Sequence, residues 1–288
     1  MKKYTILLFS ILTYLLVSLS VQSQILPANV SEKKDIIYTT IGDWQGKMDM
    51  YFPKSKKKLP LVIYIHGGGW THGSKDREYD KIKVFFENGY AVANIGYRLA
   101  GQAPAPAAIN DVYTAIQLIL DSAKSWNIDK DKIALMGGSA GAHLAMVVAL
   151  QSSAPIYTGL LTAKPFKVAA IISKYGPTDL FTWESLKKPN SASLTWLGGR
   201  EKDSAFVKSL SPFYLQDKQK IPTLFVHGSD DPTVSVDQSL MLYKKMKQLN
   251  VPTETFIVDK GKHGNFGTEE TAKMDKAMIA FLKKWFKK

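Results

Sequence analysis

Ile133-Ala134-Leu135-Met136-Gly137-Gly138-Ser139-Ala140-Gly141-Ala142-His143 is the stretch whose reading decides the fold. Residues 133–136 are a continuous apolar run with a β-branched start, as expected of a strand buried on both faces. Residues 142–151 read as an amphipathic stretch of helical length. Between them, Gly137 to Gly141 has the pattern G-x-S-x-G, which in a strand-turn-helix setting holds a serine hydroxyl clear of the backbone at a helix N-terminus. The same pentapeptide outside that setting is an ordinary glycine turn.

Working outward, the rhythm of this stretch repeats. Runs at 61–65, 91–95, 168–172, 223–226 and 255–258 read as further buried strands, and amphipathic stretches at 108–126, 236–248 and 269–286 read as helices. Strands alternating with helices predict a mostly parallel central sheet with helices on both faces. Residues 35–40 and 47–52 read as an antiparallel pair at its edge. Residues 177–219 break the rhythm. They hold Phe181, Trp183, Trp196, Phe213 and Tyr214 among turn formers, and are expected to form a small partial lid over the strand ends, where binding loops gather in such sheets.

A serine hydroxyl becomes a nucleophile only when a base takes its proton. Of the five histidines, His66 and His227 end strands, His72 lies in the loop after His66, and His143 sits one helical turn beyond Ser139. His263, in Gly261-Lys262-His263-Gly264, is both late in the chain and on a loop free to reach inward. The third group must be a carboxylate that fixes the imidazole tautomer. Asp231, in His227-Gly228-Ser229-Asp230-Asp231-Pro232, is the leading candidate, with Asp230 and Asp179 as rivals. The order Ser139, Asp231, His263 is that of the α/β-hydrolase fold. His66-Gly67-Gly68-Gly69-Trp70 ends the 61–65 strand, and its glycines leave backbone N–H groups open to a forming oxyanion.

Taken together, the HGGGW segment, Tyr97-Arg98-Leu99, GGSAGAHLA, HGSDDPTV and GKHG resemble α/β-hydrolases of the hormone-sensitive-lipase type, closest to bacterial secreted carbohydrate esterases of the acetylxylan and feruloyl branch. The resemblance spans residues 61–264. It implies Ser139, Asp231 and His263 as the catalytic triad and Gly68, Gly69 and the Ala140 N–H as oxyanion donors. It also implies a structural His66 and scaffold roles for Tyr97, Arg98 and Asp111. Three features depart from lipase-type relatives. Gly138 stands where they carry Asp, Gly101-Gln102 stands where they carry Pro-Glu, and their long N-terminal helical cap has no counterpart. These departures favour the carbohydrate-esterase branch over lipid-like esters. Trp70, with Trp183 and Trp196, is a candidate aromatic wall for a sugar or feruloyl ring, or else a packing residue.

The bulk numbers frame this reading. The chain has 288 residues, 45% hydrophobic and 22% charged, which is ordinary for a globular protein. Lys2 and Lys3, an uncharged run to Val21, and Val21 and Ser23 at the −3 and −1 positions together read as a signal peptide over 1–23. Residues 24–288 would then be one catalytic domain, exported to the periplasm or beyond and not inserted in the membrane. There is no Cys, so export brings no disulfides. The net charge of +13 gathers in part at Lys54 and Lys56 to Lys58 and at the C-terminal lysines, without the interleaved aromatics of a nucleic-acid module. No metal-ligand spacing and no cofactor motif is present. The expected activity is that of a secreted serine carboxylic-ester hydrolase with no cofactor, acting on a small-molecule or polysaccharide ester. The competing readings are a general short-chain carboxylesterase, a peptidase, an arylformamidase, or a non-catalytic binding protein on the same frame. Nothing in the sequence sets an oligomeric state.

Overall fold

A computed structural model describes residues 26–153, 164–215 and 220–287. The 1–23 segment read as a signal peptide lies outside them. Eight strands form one sheet: β1 (Val30–Ile41), β2 (Trp44–Pro53), β3 (Leu59–Ile65), β4 (Ala91–Ile95), β5 (Ile128–Gly138), β6 (Ala170–Lys174), β7 (Thr223–Gly228) and β8 (Thr253–Val258). Their spatial order is β1-β2-β4-β3-β5-β6-β7-β8. β1 and β2 pair antiparallel at the edge, β2 joins β4 antiparallel, and every later pairing is parallel.

Parallel neighbours require crossovers, and helices supply them. α1 (Tyr79–Glu87) links β3 to β4, α2 (Ala107–Ser122) links β4 to β5, and α3 (Ala140–Leu150) links β5 to β6. α6 (Asp237–Gln248) links β7 to β8, and α7 (Gly267–Phe286) closes the described chain. Because both faces of β3 to β7 are covered, the core divides in two; β8, at the sheet edge, leaves Thr255 and Ile257 exposed, unlike the buried run expected at 255–258. On one face Ile63 and Leu135 meet α2 (Val112, Ile116), α3 (Leu144, Val148) and α6 (Leu242, Met246). On the other, Val62 and Met136 meet α1 (Ile82, Phe85, Phe86) and α7 (Met278, Leu282). Every residue of α3 is buried, so the amphipathic reading of 142–151 is corrected: this helix runs through the core and has no polar face.

Between β6 and β7 the chain makes its irregular excursion. It carries α4 (Ala192–Leu197) and α5 (Ser204–Ser209), each one or two turns long. Leu180, Trp196, Val207 and Leu210 from this excursion are fully buried in the α2/α3 core. The inner residues of the excursion are thus anchored in this core. β6 begins two residues later than the apolar run at 168–172 predicts, because Val168 precedes the first residues in register with β5.

Candidate active site

All the site residues emerge at the carboxyl ends of parallel strands, where loops rather than the next ladder hydrogen bond receive the chain. The glycine loop follows β3, Ser139 follows β5, Asp231 follows β7 and His263 follows β8.

Ser139 sits between β5 and α3 with φ 53° and ψ −122°, a backbone conformation that few L-residues adopt. Such strain costs about 1–3 kcal/mol and persists only where the surroundings enforce it. Here they do: the Ser139 N–H donates to the Lys174 carbonyl at 2.8 Å, and the Ser139 carbonyl accepts from the His143 N–H at 3.1 Å. The side chain is thereby presented at the head of α3.

The hydroxyl meets its base directly. Ser139 Oγ lies 2.9 Å from His263 Nε2, and His263 Nδ1 lies 2.7 Å from Asp231 Oδ2. A carboxylate can only accept, so Nδ1 carries the proton and Nε2 is left to take the serine hydrogen. Asp231 Oδ1 accepts from the backbone N–H groups of Thr233 and Val234 at 2.8 and 3.0 Å. Burial pushes this carboxyl up, but the hydrogen bonds from His227, His263, Val234 and Thr233 outweigh it and hold the group well below the usual carboxylate range. Asp231 is ionised across the neutral range.

The rival acids are occupied elsewhere. Asp179 caps its own loop, accepting from the Phe181 and Thr182 N–H groups and the Thr182 hydroxyl. Asp230 faces solvent beside Lys262. Among the remaining histidines, His66 holds the glycine loop. Its Nδ1 is 2.8 Å from the Gly67 carbonyl, and its ring stacks on Tyr97 at 4.2 Å. His143 points away from Ser139, donating from Nε2 to the Leu210 carbonyl at 2.7 Å.

The glycine loop arches over the nucleophile. Gly68 has φ 116°, and a Cβ there would lie 1.9 Å from the His72 carbonyl oxygen, so no other residue fits. Among the described residues, the N–H groups of Gly68, Gly69 and Ala140 donate to no protein acceptor. Three free donors thus border Ser139, with Ala140 at the first position of α3, where the helix dipole adds to them.

A cavity of about 500 Å³ opens on these groups. Ser139, His263, Gly68, Gly69, Trp183 and Tyr175 line it. Trp70 also borders it but is only 1% exposed. Its ring stacks on Trp196 at 4.8 Å and meets the edge of His143 at 5.2 Å. Most of its surface therefore faces the core. Among the described residues no group of three or more His, Asp or Glu side chains is placed to hold a metal ion.

The BD-FAE family pattern matches residues 48–246, from β2 into α6 and through the glycine loop, the nucleophile and the acid. The chain belongs to the BD-FAE family.

The relatives that this BD-FAE member resembles are named as esterases. It is 29% identical over 265 residues to an arylesterase of Saccharolobus solfataricus, covering 90% of this chain and 85% of that protein. It is 26% identical over 221 residues to Esterase LipQ of Mycobacterium tuberculosis, covering 75% of this chain but 52% of LipQ. The chain thus spans about half the length of that relative. The solved structure of a truncated carbohydrate esterase from gut microbiota superposes with a TM-score of 0.75 at 25% identity, covering 90% of this chain and 97% of that one. The architecture is the α/β-hydrolase fold.

Two features of this BD-FAE member were not read from its sequence. The first is the partner of Gly138. A Cβ at that position would lie 2.9 Å from the Tyr175 hydroxyl oxygen. Tyr175 presses its ring against His263 at a centroid distance of 4.8 Å. The glycine that stands in place of an acidic residue leaves room for this tyrosine. The second is His227. Its Nε2 lies 3.2 Å from Asp231 Oδ2 and 2.9 Å from the Val234 carbonyl, while its Nδ1 lies 2.7 Å from the Ser239 hydroxyl. Two acceptors on Nε2 make that nitrogen the donor, so the acid is held by two imidazoles. The signal was its position four residues before Asp231 at the end of β7.

Proposed function

We propose that this protein is an exported serine carboxylic-ester hydrolase that removes acetyl or feruloyl-type groups from carbohydrate. The observation that carries the reading is the unbroken relay from Ser139 Oγ through His263 to Asp231, at 2.9 and 2.7 Å, facing three free backbone donors. In this mechanism Ser139 Oγ attacks the ester carbonyl while His263 Nε2 takes its proton. The carbonyl oxygen becomes an oxyanion and is held by the N–H groups of Gly68, Gly69 and Ala140. The C–O bond to the alcohol breaks, and His263 returns the proton to the departing oxygen. Water then attacks the acyl-Ser139, His263 accepts its proton, and the carboxylic acid leaves as Ser139 regains its hydrogen. Asp231 keeps its charge throughout and stabilises the imidazolium.

The carbohydrate side rests on the fold match to a carbohydrate esterase together with the leader reading of residues 1–23. A fluorophosphonate probe is expected to label Ser139 alone, and Ser139→Ala to abolish both labelling and turnover. Asp231→Asn should cost about 10⁴ in kcat, as loss of the correct tautomer does in such triads, while Asp230→Asn and Asp179→Asn stay near wild type. A panel of acetyl, feruloyl, butyryl and long-chain esters assigns the acyl group. A clear preference for long-chain esters would sink the acetyl and feruloyl assignment. Recovery of exported protein with Gln24 at its N-terminus is expected; an intact Met1 would overturn cleavage, and activity confined to the cytoplasmic fraction would overturn export.

A further inference from the structure

The cavity in front of Ser139 is lined by two groups of unlike chemistry. One is Trp183, Ala192 and Ser193 of the excursion, of which Trp183 packs on the α2/α3 core. The other is Tyr64, Glu78 and Lys81, of which Tyr64 belongs to the opposite core that α1 and α7 cover. Acyl transfer uses nothing in this second group, yet it carries a charged pair.

Glu78 immediately precedes α1 and is 6% exposed. Its Oε2 accepts from the Tyr64 hydroxyl at 2.8 Å and lies 2.9 Å from Lys81 Nζ, while its Oε1 accepts from Lys81 Nζ at 3.1 Å. A carboxylate so placed is tolerated because it is paired and hydrogen-bonded. It still has acceptor sites to spare, and Lys81, whose side chain is 45% exposed, has further N–H donors. One acceptor and one donor, held side by side at the wall of a cavity, match a pair of neighbouring hydroxyls, each of which both gives and takes a hydrogen bond.

We propose that Glu78 and Lys81 form a hydroxyl-binding subsite for the sugar part of the substrate, Glu78 accepting from one hydroxyl of a pyranose and Lys81 donating to its neighbour. The ligand is a neutral sugar rather than a uronate, because Glu78 already cancels the charge of Lys81 and would repel a second carboxylate. Tyr64 is the positioning residue that fixes the carboxylate. This assignment rests on the carbohydrate-ester reading above.

The test uses xylotriose as a competitive inhibitor of p-nitrophenyl acetate hydrolysis, and acetylated xylotriose as a substrate, with wild type, Lys81→Met and Glu78→Gln. Loss of one hydrogen bond involving a charged group should raise both the Ki for xylotriose and the KM for acetylated xylotriose about ten-fold, with kcat less affected. If wild type is inhibited by xylotriose and cleaves its acetate, but neither constant moves in Lys81→Met, the subsite is overturned and the carbohydrate reading stands. If wild type hydrolyses p-nitrophenyl acetate but neither binds xylotriose nor deacetylates it, the carbohydrate reading and the subsite both fall. Should the buried Glu78→Gln substitution not fold, Lys81→Met at its exposed position decides.

Discussion

Asp231 Oδ2 receives two imidazole N–H groups, one from His263 at 2.7 Å and one from His227 at 3.2 Å. The first orients the base. The second is buried at 0% exposure and is itself locked by Ser239 and the Val234 carbonyl, so it fixes the position from which the acid works. Removing it as His227→Ala leaves the carboxylate with one donor fewer and strands two more polar groups. Because hydrogen bonds to charged groups contribute about 1.5–3 kcal/mol, kcat should fall by roughly ten-fold or more. The less neutralised carboxylate would favour the imidazolium more strongly, so the acid limb of the kcat/KM profile should move to higher pH. His227→Gln, which can present an amide N–H near the same point, should recover much of the rate. A pH–rate profile of all three proteins checks this. A variant that loses stability but keeps the wild-type profile would reduce His227 to a packing residue. In the sequence His227 was marked only by standing at a strand end four residues before Asp231, because its role is set by Ser239, Val234 and Asp231 closing around it.

At the scale of elements, the contact between α3 and the excursion carries its own titratable group. His143 is fully buried, with Nε2 bonded to the Leu210 carbonyl and Nδ1 without a partner among the described residues. A proton on Nδ1 would have no protein acceptor among the described residues, and burial pushes the group down to about 4 against the ordinary 6.5. The sign follows from proton counting. Between those two values the unfolded chain binds the proton and the folded chain does not, so stability falls as pH drops from about 6.5 and levels off near 4. The full effect is of order 3 kcal/mol. His143→Gln keeps a donor for Leu210 without titrating. Thermal melts at pH 7 and pH 4.5 should therefore show a larger loss of Tm in wild type than in His143→Gln. Equal losses would contradict this account. The regular elements around this contact were largely legible, since buried parallel strands appear as unbroken apolar runs. The excursion was not: its short α4 and α5 follow no period, and Trp196 is ordered by stacking on Trp70, which lies far from it in sequence.

Over the whole molecule, the parallel sheet brings loops from four strands to one end, and the order Ser139, Asp231, His263 in the chain becomes a single line of hydrogen bonds. That line was readable in advance because each member follows a strand whose apolar run is plain, and because a strained serine between strand and helix needs a base within reach. The charged pair in the cavity wall was not readable, since Glu78 and Lys81 look like ordinary residues at the start of a surface helix until Tyr64 is folded against them. The central claim is that Ser139 carries the acyl group in turnover. Its most direct test is to quench the enzyme in acid during turnover of p-nitrophenyl acetate and measure peptide masses. One acetyl group should appear on the peptide containing Ser139 in wild type, and none in Ser139→Ala. Turnover with no acylated peptide at Ser139, or undiminished turnover by Ser139→Ala, would contradict the account.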